Sequence, residues 1–203
     1  MSMKFVSRFV VVSLFVLISA ASAAAAFQGG PFMATGGRTS QPVGHFEFCR
    51  HQPKECAVKT PSGGRVHLTE TLWQQLIAVN DNINTAIEPD TDEAIFGKPE
   101  VWAYPDGRGD CEDYVLLKRR ELIRQGWPAG ALLITVVRQT NGDGHAVLTV
   151  LTDRGDLVLD NLEGEIHVWN ETSYQYVKRQ SETDAGRWVA IEDDRPLLVG
   201  SVR

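Results

Sequence analysis

Three short apolar runs separated by two polar turns constrain this chain most. Residues 131–138 (ALLITVVR), 145–151 (HAVLTVL) and 157–160 (LVLD) are rich in β-branched and aliphatic side chains. Between them lie Asn141-Gly142-Asp143-Gly144 and Asp153-Arg154-Gly155-Asp156. Runs of this length, bounded by Asn, Asp and Gly, predict an antiparallel meander. The segment before it, opening at Cys111, places Val115, Leu116, Leu122 and Ile123 on one helical face, with Gly126 and Pro128 as a stop signal. A second amphipathic helix is predicted over 69–87, where Leu72, Leu76, Val79, Ile83 and Ile87 recur at steps of three and four. Thr69 is its expected N-cap and Pro89 its stop, and the stripe marks it for core packing alone. Helices followed by a meander give an α+β domain, and residues 166–179 and 187–191 supply further strands.

The meander carries chemistry at its ends. His145 begins one strand and Asp160 ends the next. Antiparallel neighbours bring such ends side by side, so the two side chains are expected to meet. Asn161 competes for the same role but faces the opposite side of the strand, and an acid suits an imidazolium better. Upstream, Gly109-Asp110-Cys111-Glu112-Asp113-Tyr114 puts a cysteine at a helix start, where the helix dipole and unsatisfied N–H groups favour a thiolate. A lone cysteine is ordinarily a small buried hydrophobe. Here Gly109, Asp110, Glu112 and Asp113 surround it, a poor core environment. Cys111, His145 and Asp160 therefore form a candidate nucleophile, base and orienter.

The first 26 residues read as a secretory signal peptide. Lys4 and Arg8 precede a short apolar run over 9–18 and then small residues, with cleavage expected after Ala23 or Ala26. The run falls short of the ~20 residues a membrane span needs, so no stable anchor is expected after cleavage, and the location is periplasmic or secreted. Losing Lys4 and Arg8 takes the 20 basic residues to 18 against 26 acidic ones, moving the net charge from −6 to −8. With no basic run, nucleic acid is excluded as a partner. Export also separates the three cysteines. Cys49 and Cys56, with Pro53 between them, are expected to pair locally, leaving Cys111 as the odd thiol. No Cys-x-x-Cys motif is present and no second histidine lies near His145, which argues against zinc.

The remaining segments are assigned by composition. Residues 27–44 read as a flexible mature N-terminus, 45–192 as the domain and 193–203 as a tail. The connector 88–108 has little period. Its Phe96, Trp102 and Tyr104 fit equally the wall of a cleft or a cap on the core. His51 and His67 read as surface or satisfied histidines.

The motif blocks resemble a known family. Gly-x-Gly-Asp-Cys-Glu-Asp-Tyr, from Gly107 to Tyr114, looks like the nucleophile motif of the bacterial transglutaminase-like cysteine proteinases. His145 with its apolar strand, Leu159-Asp160-Asn161-Leu162, and the stretch from Tyr174 to Ser181 followed by Trp188 match its other blocks, so the likeness covers roughly 46–191. The resemblance implies a papain-like, transglutaminase-core fold and peptide-bond hydrolysis through an acyl-enzyme. Cys111 would attack, His145 would shuttle the proton and Asp160 would hold the ring. The LapG-type periplasmic peptidases of this family clip large surface adhesins and require calcium. That implies a protein substrate such as an adhesin, a regulatory inhibitor protein as a partner, and calcium ligands at Asp110, Glu112 and Asp113. Electrostatics agree, since three carboxylates beside a thiolate raise its pKa and a bound Ca²⁺ reverses the sign. Two other functions share these residues. One is acyl transfer to an amine, which the same triad supports. The other is a non-catalytic binding module, against which the presence of all three residues argues.

Overall fold

A computed structural model describes residues 29–60 and 64–195. The expected signal peptide and most of the expected tail lie outside the described residues. In chain order the elements are β1 (Thr35–Thr39), α1 (Val43–His51), α2 (Pro53–Cys56), α3 (Glu70–Ala86), β2 (Glu88–Pro89), α4 (Asp92–Phe96) and β3 (Arg108–Gly109). They continue with α5 (Cys111–Arg124), β4 (Leu132–Arg138), β5 (Gly144–Thr152), β6 (Gly155–Leu159), β7 (His167–Val168), β8 (Gln175–Ser181) and β9 (Asp184–Ile191).

The meander forms as its residues dictate and becomes the middle of a seven-stranded antiparallel sheet ordered β1-β9-β8-β4-β5-β6-β7. Gly142 turns the β4–β5 hairpin at φ 93°, a conformation that disfavours any residue with a Cβ. β4 and β5 carry apolar residues on both sides because both faces of the sheet are covered. On one face, Leu76, Val79 and Ile83 of α3 and Tyr114, Val115 and Leu122 of α5 pack over Ile134, Ala146 and Leu148. Burying each large aliphatic side chain contributes about 1.5–3 kcal/mol. On the other face, Val137, Val147 and Val158 are covered by Met33, Trp169, Tyr176 and Ile191.

That second layer corrects the reading of the N-terminus. The described part of residues 27–44 is built into the fold. Gly29 and Gly30 accept hydrogen bonds from the Asn170 and Trp169 side chains, Met33 is buried, and β1 pairs with β9. The polar, glycine-containing sequence TGGRT has little strand propensity of its own, and pairing with the open edge of β9 supplies the order. At the other end, Asp193 and Arg195 are tied to the domain as well. Arg195 reaches the carbonyls of Thr172 and Tyr174, so the ordered unit runs past residue 192.

α3 follows its predicted bounds, and the Thr69 side chain accepts from the Leu72 N–H at 3.3 Å. In α5 the stripe is wider than the aliphatic residues suggest, because Lys118 and Arg119 are buried too. The Arg119 Nε–H donates to the Leu132 carbonyl at 3.0 Å. Cys49 and Cys56 are disulfide-bonded, with Cα atoms 5.6 Å apart, and tie α1 to α2. Trp102 and Tyr104 cap the core: Trp102 packs edge-on to His45 and Trp188, and Tyr104 lies against Phe48 and under the Arg120 guanidinium. Phe96 stays exposed.

Candidate active site

The site lies where the start of α5 meets the start of β5. β3 delivers the chain to Asp110, which caps α5 in extended conformation, and Cys111 is the first helical residue. Gly109 is required there by close approach, since a Cβ on it would come within 2.8 Å of the Asp113 side chain. α5 packs along β5, near enough for the backbone amide of Ala146, the residue after His145, to act on the Cys111 sulfur, while no hydrogen bond joins Cys111 to His145.

His145 and Asp160 are both buried and meet at 2.7 Å, Nε2 to Oδ1. A carboxylate only accepts, so Nε2 carries the proton and Nδ1 is the ring nitrogen that can take one up. Asp160 sits just beyond β6. Its Oδ1 also accepts the Leu162 N–H at 3.0 Å, and its Oδ2 accepts the Tyr174 hydroxyl at 2.5 Å. Burial alone would raise the Asp160 pKa. The hydrogen bond and charge of His145, the Tyr174 hydroxyl and the Leu162 amide outweigh it and hold the carboxyl below its ordinary value. Asn161 makes no such contact, and its Oδ1 is buried without a partner. α3, expected to serve packing alone, also holds this loop: Asn84 Nδ2 donates to the Asp160 carbonyl at 2.8 Å and Asn80 Nδ2 to that of Gly164 at 3.0 Å.

Around the cysteine the electrostatics run the other way. The Cys111 thiol donates to Glu112 Oε2 at 2.9 Å. Burial first, then the Glu112 charge and this hydrogen bond, raise its pKa, against a lowering by the Ala146 amide. Beside it stand Asp92, Asp110 and Asp113, each offering an oxygen within 4.8 Å of the others. Val101 N–H donates to Asp92 Oδ2 and Ala103 N–H to Asp113 Oδ1. Their remaining oxygens, Asp92 Oδ1 and Asp113 Oδ2, are buried without a partner, as is Asp110 Oδ1. Burial, then Glu112 and the neighbouring aspartates, push the Asp110 pKa up to about 9. Burial, with Asp92 and Glu112 behind it, pushes that of Asp113 to about 7 despite the Ala103 amide. Asp92 is raised as well, chiefly by burial.

The expected ligands Asp110, Glu112 and Asp113 do not all lie in one cluster. The structure gathers Asp110 and Asp113 with Asp92, and turns Glu112 toward the thiol. Asp92 escaped sequence reasoning because it lies in the connector without period. Its visible signal, Thr91 preceding two acids, reads as an ordinary helix cap, and the Thr91 hydroxyl does accept the Ala94 N–H. Orphaned carboxylate oxygens converging in a buried site fit a hard divalent cation, which takes oxygen ligands. A soft-metal set is absent from the other cluster: His45, Cys49 and Cys56 lie together, but the two sulfurs are bonded to each other. His67 pairs with Asp153 at the surface, and His51 is exposed.

Residues 35–196 match the family described as bacterial transglutaminase-like cysteine proteinase BTLCP. The chain belongs to this family. It is therefore a cysteine peptidase of transglutaminase-like type, and its helix-on-antiparallel-sheet fold is that of the relatives it resembles. Among solved structures, Legionella pneumophila LapG superimposes with a TM-score of 0.50 at 29% identity, over 61% of this chain and 70% of that one. An EGTA-treated form of the Legionella protein gives 0.50 at 29% identity, over 63% and 75%. A calcium-bound form gives 0.51 at 23% identity, over 77% and 84%. No curated protein matches the chain.

Proposed function

We propose that this peptidase is an exported endopeptidase that cleaves a periplasmic or surface protein, using Cys111 as nucleophile, His145 as proton shuttle and Asp160 as its orienter. The observation that carries the reading is the buried 2.7 Å bond from His145 Nε2 to Asp160, on the strand whose next amide acts on the Cys111 sulfur. Asp160 fixes the tautomer, so Nδ1 takes the thiol proton as sulfur attacks the peptide carbonyl. Nδ1 then returns that proton to the departing amine as the C–N bond breaks, leaving a thioester. Water gives a proton to Nδ1 and attacks the thioester, which releases the acid and restores the thiol.

Asp92, Asp110 and Asp113 would hold calcium, whose positive charge would offset the carboxylates that keep the cysteine protonated. The orphaned oxygens support this, and the Legionella protein is described in calcium-bound and EGTA-treated forms. Export rests on the pattern of residues 1–26. Among the described residues no helix is long and apolar enough to cross a membrane. A large surface adhesin as substrate, and an inhibitor protein as regulator, follow from the family likeness.

The test is to incubate the wild-type protein and Cys111→Ala with surface and periplasmic proteins of the producing cells and to map new N-termini by mass spectrometry. New termini should arise with the wild type alone. The same termini from Cys111→Ala would remove Cys111 from the reaction.

A further inference from the structure

We infer that Tyr174 is a positioning residue for the reaction: its hydroxyl fixes the rotation of the Asp160 carboxylate, and its ring covers the imidazole of His145. This deepens the triad reading and rests on it. A carboxylate has two equivalent oxygens and a soft terminal torsion, so a buried Asp needs partners on both to present one of them in a single direction. Oδ1 is committed to His145 Nε2 and the Leu162 amide, and Oδ2 to the Tyr174 hydroxyl. The tyrosine thereby breaks the symmetry between the two oxygens. Its ring lies 5.5 Å from the imidazole, tilted by 51°. A cavity of about 250 Å³ opens beside it, lined by Asp160 and Tyr174 together with Val158, Glu163 and His167. His145 does not line this cavity, and the tyrosine ring packs against its imidazole, which keeps the His145 side of the bond dry, where such a bond is stronger.

The charges around the pair are consistent with a permanent donor. Asp160 is faced by His145 from β5, by Lys118 from α5 and by Tyr174 and Tyr176 from the β7–β8 segment, with Glu163 acting on Tyr174 from the loop after β6. Burial, then the hydrogen bond and charge of Asp160, raise the Tyr174 pKa far above its ordinary value, so the phenol keeps its proton throughout the working range. Losing the hydroxyl leaves Oδ2 of a buried carboxylate without its donor, while losing the ring uncovers the imidazole of His145.

The experiment compares wild type, Tyr174→Phe, Tyr174→Ala and His145→Ala as full chains with calcium chloride present. It reads the low-field proton resonance of His145 Nε2–H by NMR and the rate of Cys111 alkylation by iodoacetamide, with thermal midpoints recorded alongside. Tyr174→Phe should move the resonance and slow alkylation about tenfold, the size of one charge-assisted hydrogen bond, with its midpoint close to wild type. Tyr174→Ala should in addition lose the resonance to exchange with water. If Tyr174→Ala does not fold, Tyr174→Phe decides. An unmoved resonance in Tyr174→Phe overturns the inference, whether the rate stays at the wild-type value or falls only with the melting temperature. His145→Ala labelling as fast as wild type would overturn the triad reading itself. Slow labelling of His145→Ala beside unchanged Tyr174→Phe would overturn the role of Tyr174 alone.

Discussion

The two halves of the site are finished to different degrees. On the base side, the polar atoms of the Asp160 carboxylate have protein partners: His145, Leu162 and Tyr174 converge on it, and Asn84 holds the adjoining carbonyl. On the nucleophile side, Asp92, Asp110 and Asp113 each keep a buried oxygen with no partner, and the thiol is bound to a carboxylate that disfavours its ionisation. Orphaned buried atoms occur beside the base as well, at Asn84 Oδ1, Asn161 Oδ1 and Lys118 Nζ, but among the described residues it is only at Asp92, Asp110 and Asp113 that buried carboxylate oxygens lack partners. The contrast fits the proposed roles: protein groups alone complete the His145–Asp160 pair, and a cation would complete the surroundings of Cys111.

Breaking the base side should have the largest effect. His145→Ala should slow peptide cleavage by about 10²–10⁴-fold, the usual worth of a positioned general base, as read by steady-state turnover of the mapped substrate. Unequal dependence on cation then sharpens the contrast. EGTA should slow Cys111 alkylation on the order of tenfold or more, since each unit added to a thiol pKa costs a factor of ten in thiolate. Asp113→Asn should abolish that response, and an unchanged chelator effect in this variant would take Asp113 out of the metal site.

Stability should report the same asymmetry more gently. In the folded, metal-free protein Asp113 and Asp110 are raised from 3.8 to about 7 and about 9, so between pH 4 and those values the native state binds more protons than the unfolded chain. Stability from these groups is therefore present at low pH and is lost as pH rises through that window. The melting temperature in EGTA should fall from pH 5 to pH 8 by several degrees and flatten when calcium is added. A calcium-independent profile would contradict the account. The smallest effect is expected at Asn84→Ala, which removes one hydrogen bond to the Asp160 carbonyl and should cost about 0.5–1.5 kcal/mol in denaturant unfolding while calcium dependence persists.

The base side was also the part readable from sequence. Strand period places His145 and Asp160 at adjoining strand ends, and the register of β5 with β6 follows from the turn at Gly155. Cys111 is marked by its helix start. Asp92 and Tyr174 are invisible to such reasoning, because the path of an irregular connector decides what they approach. The burial of Lys118 and Arg119 in α5 is also hidden, because the aliphatic stripe of the helix does not include them. β1 is hidden for a different reason, since its order comes from the edge of β9 and not from its own residues.

The most direct test of a nucleophile completed by a cation is the rate of Cys111 alkylation across pH, with calcium and with EGTA, followed by peptide mapping. With calcium, labelling should be fast near neutral pH, well below the midpoint of about 8.5 for an ordinary thiol, and EGTA should move the profile to higher pH. Identical profiles in the two conditions, or an ordinary thiol midpoint with calcium present, would contradict it.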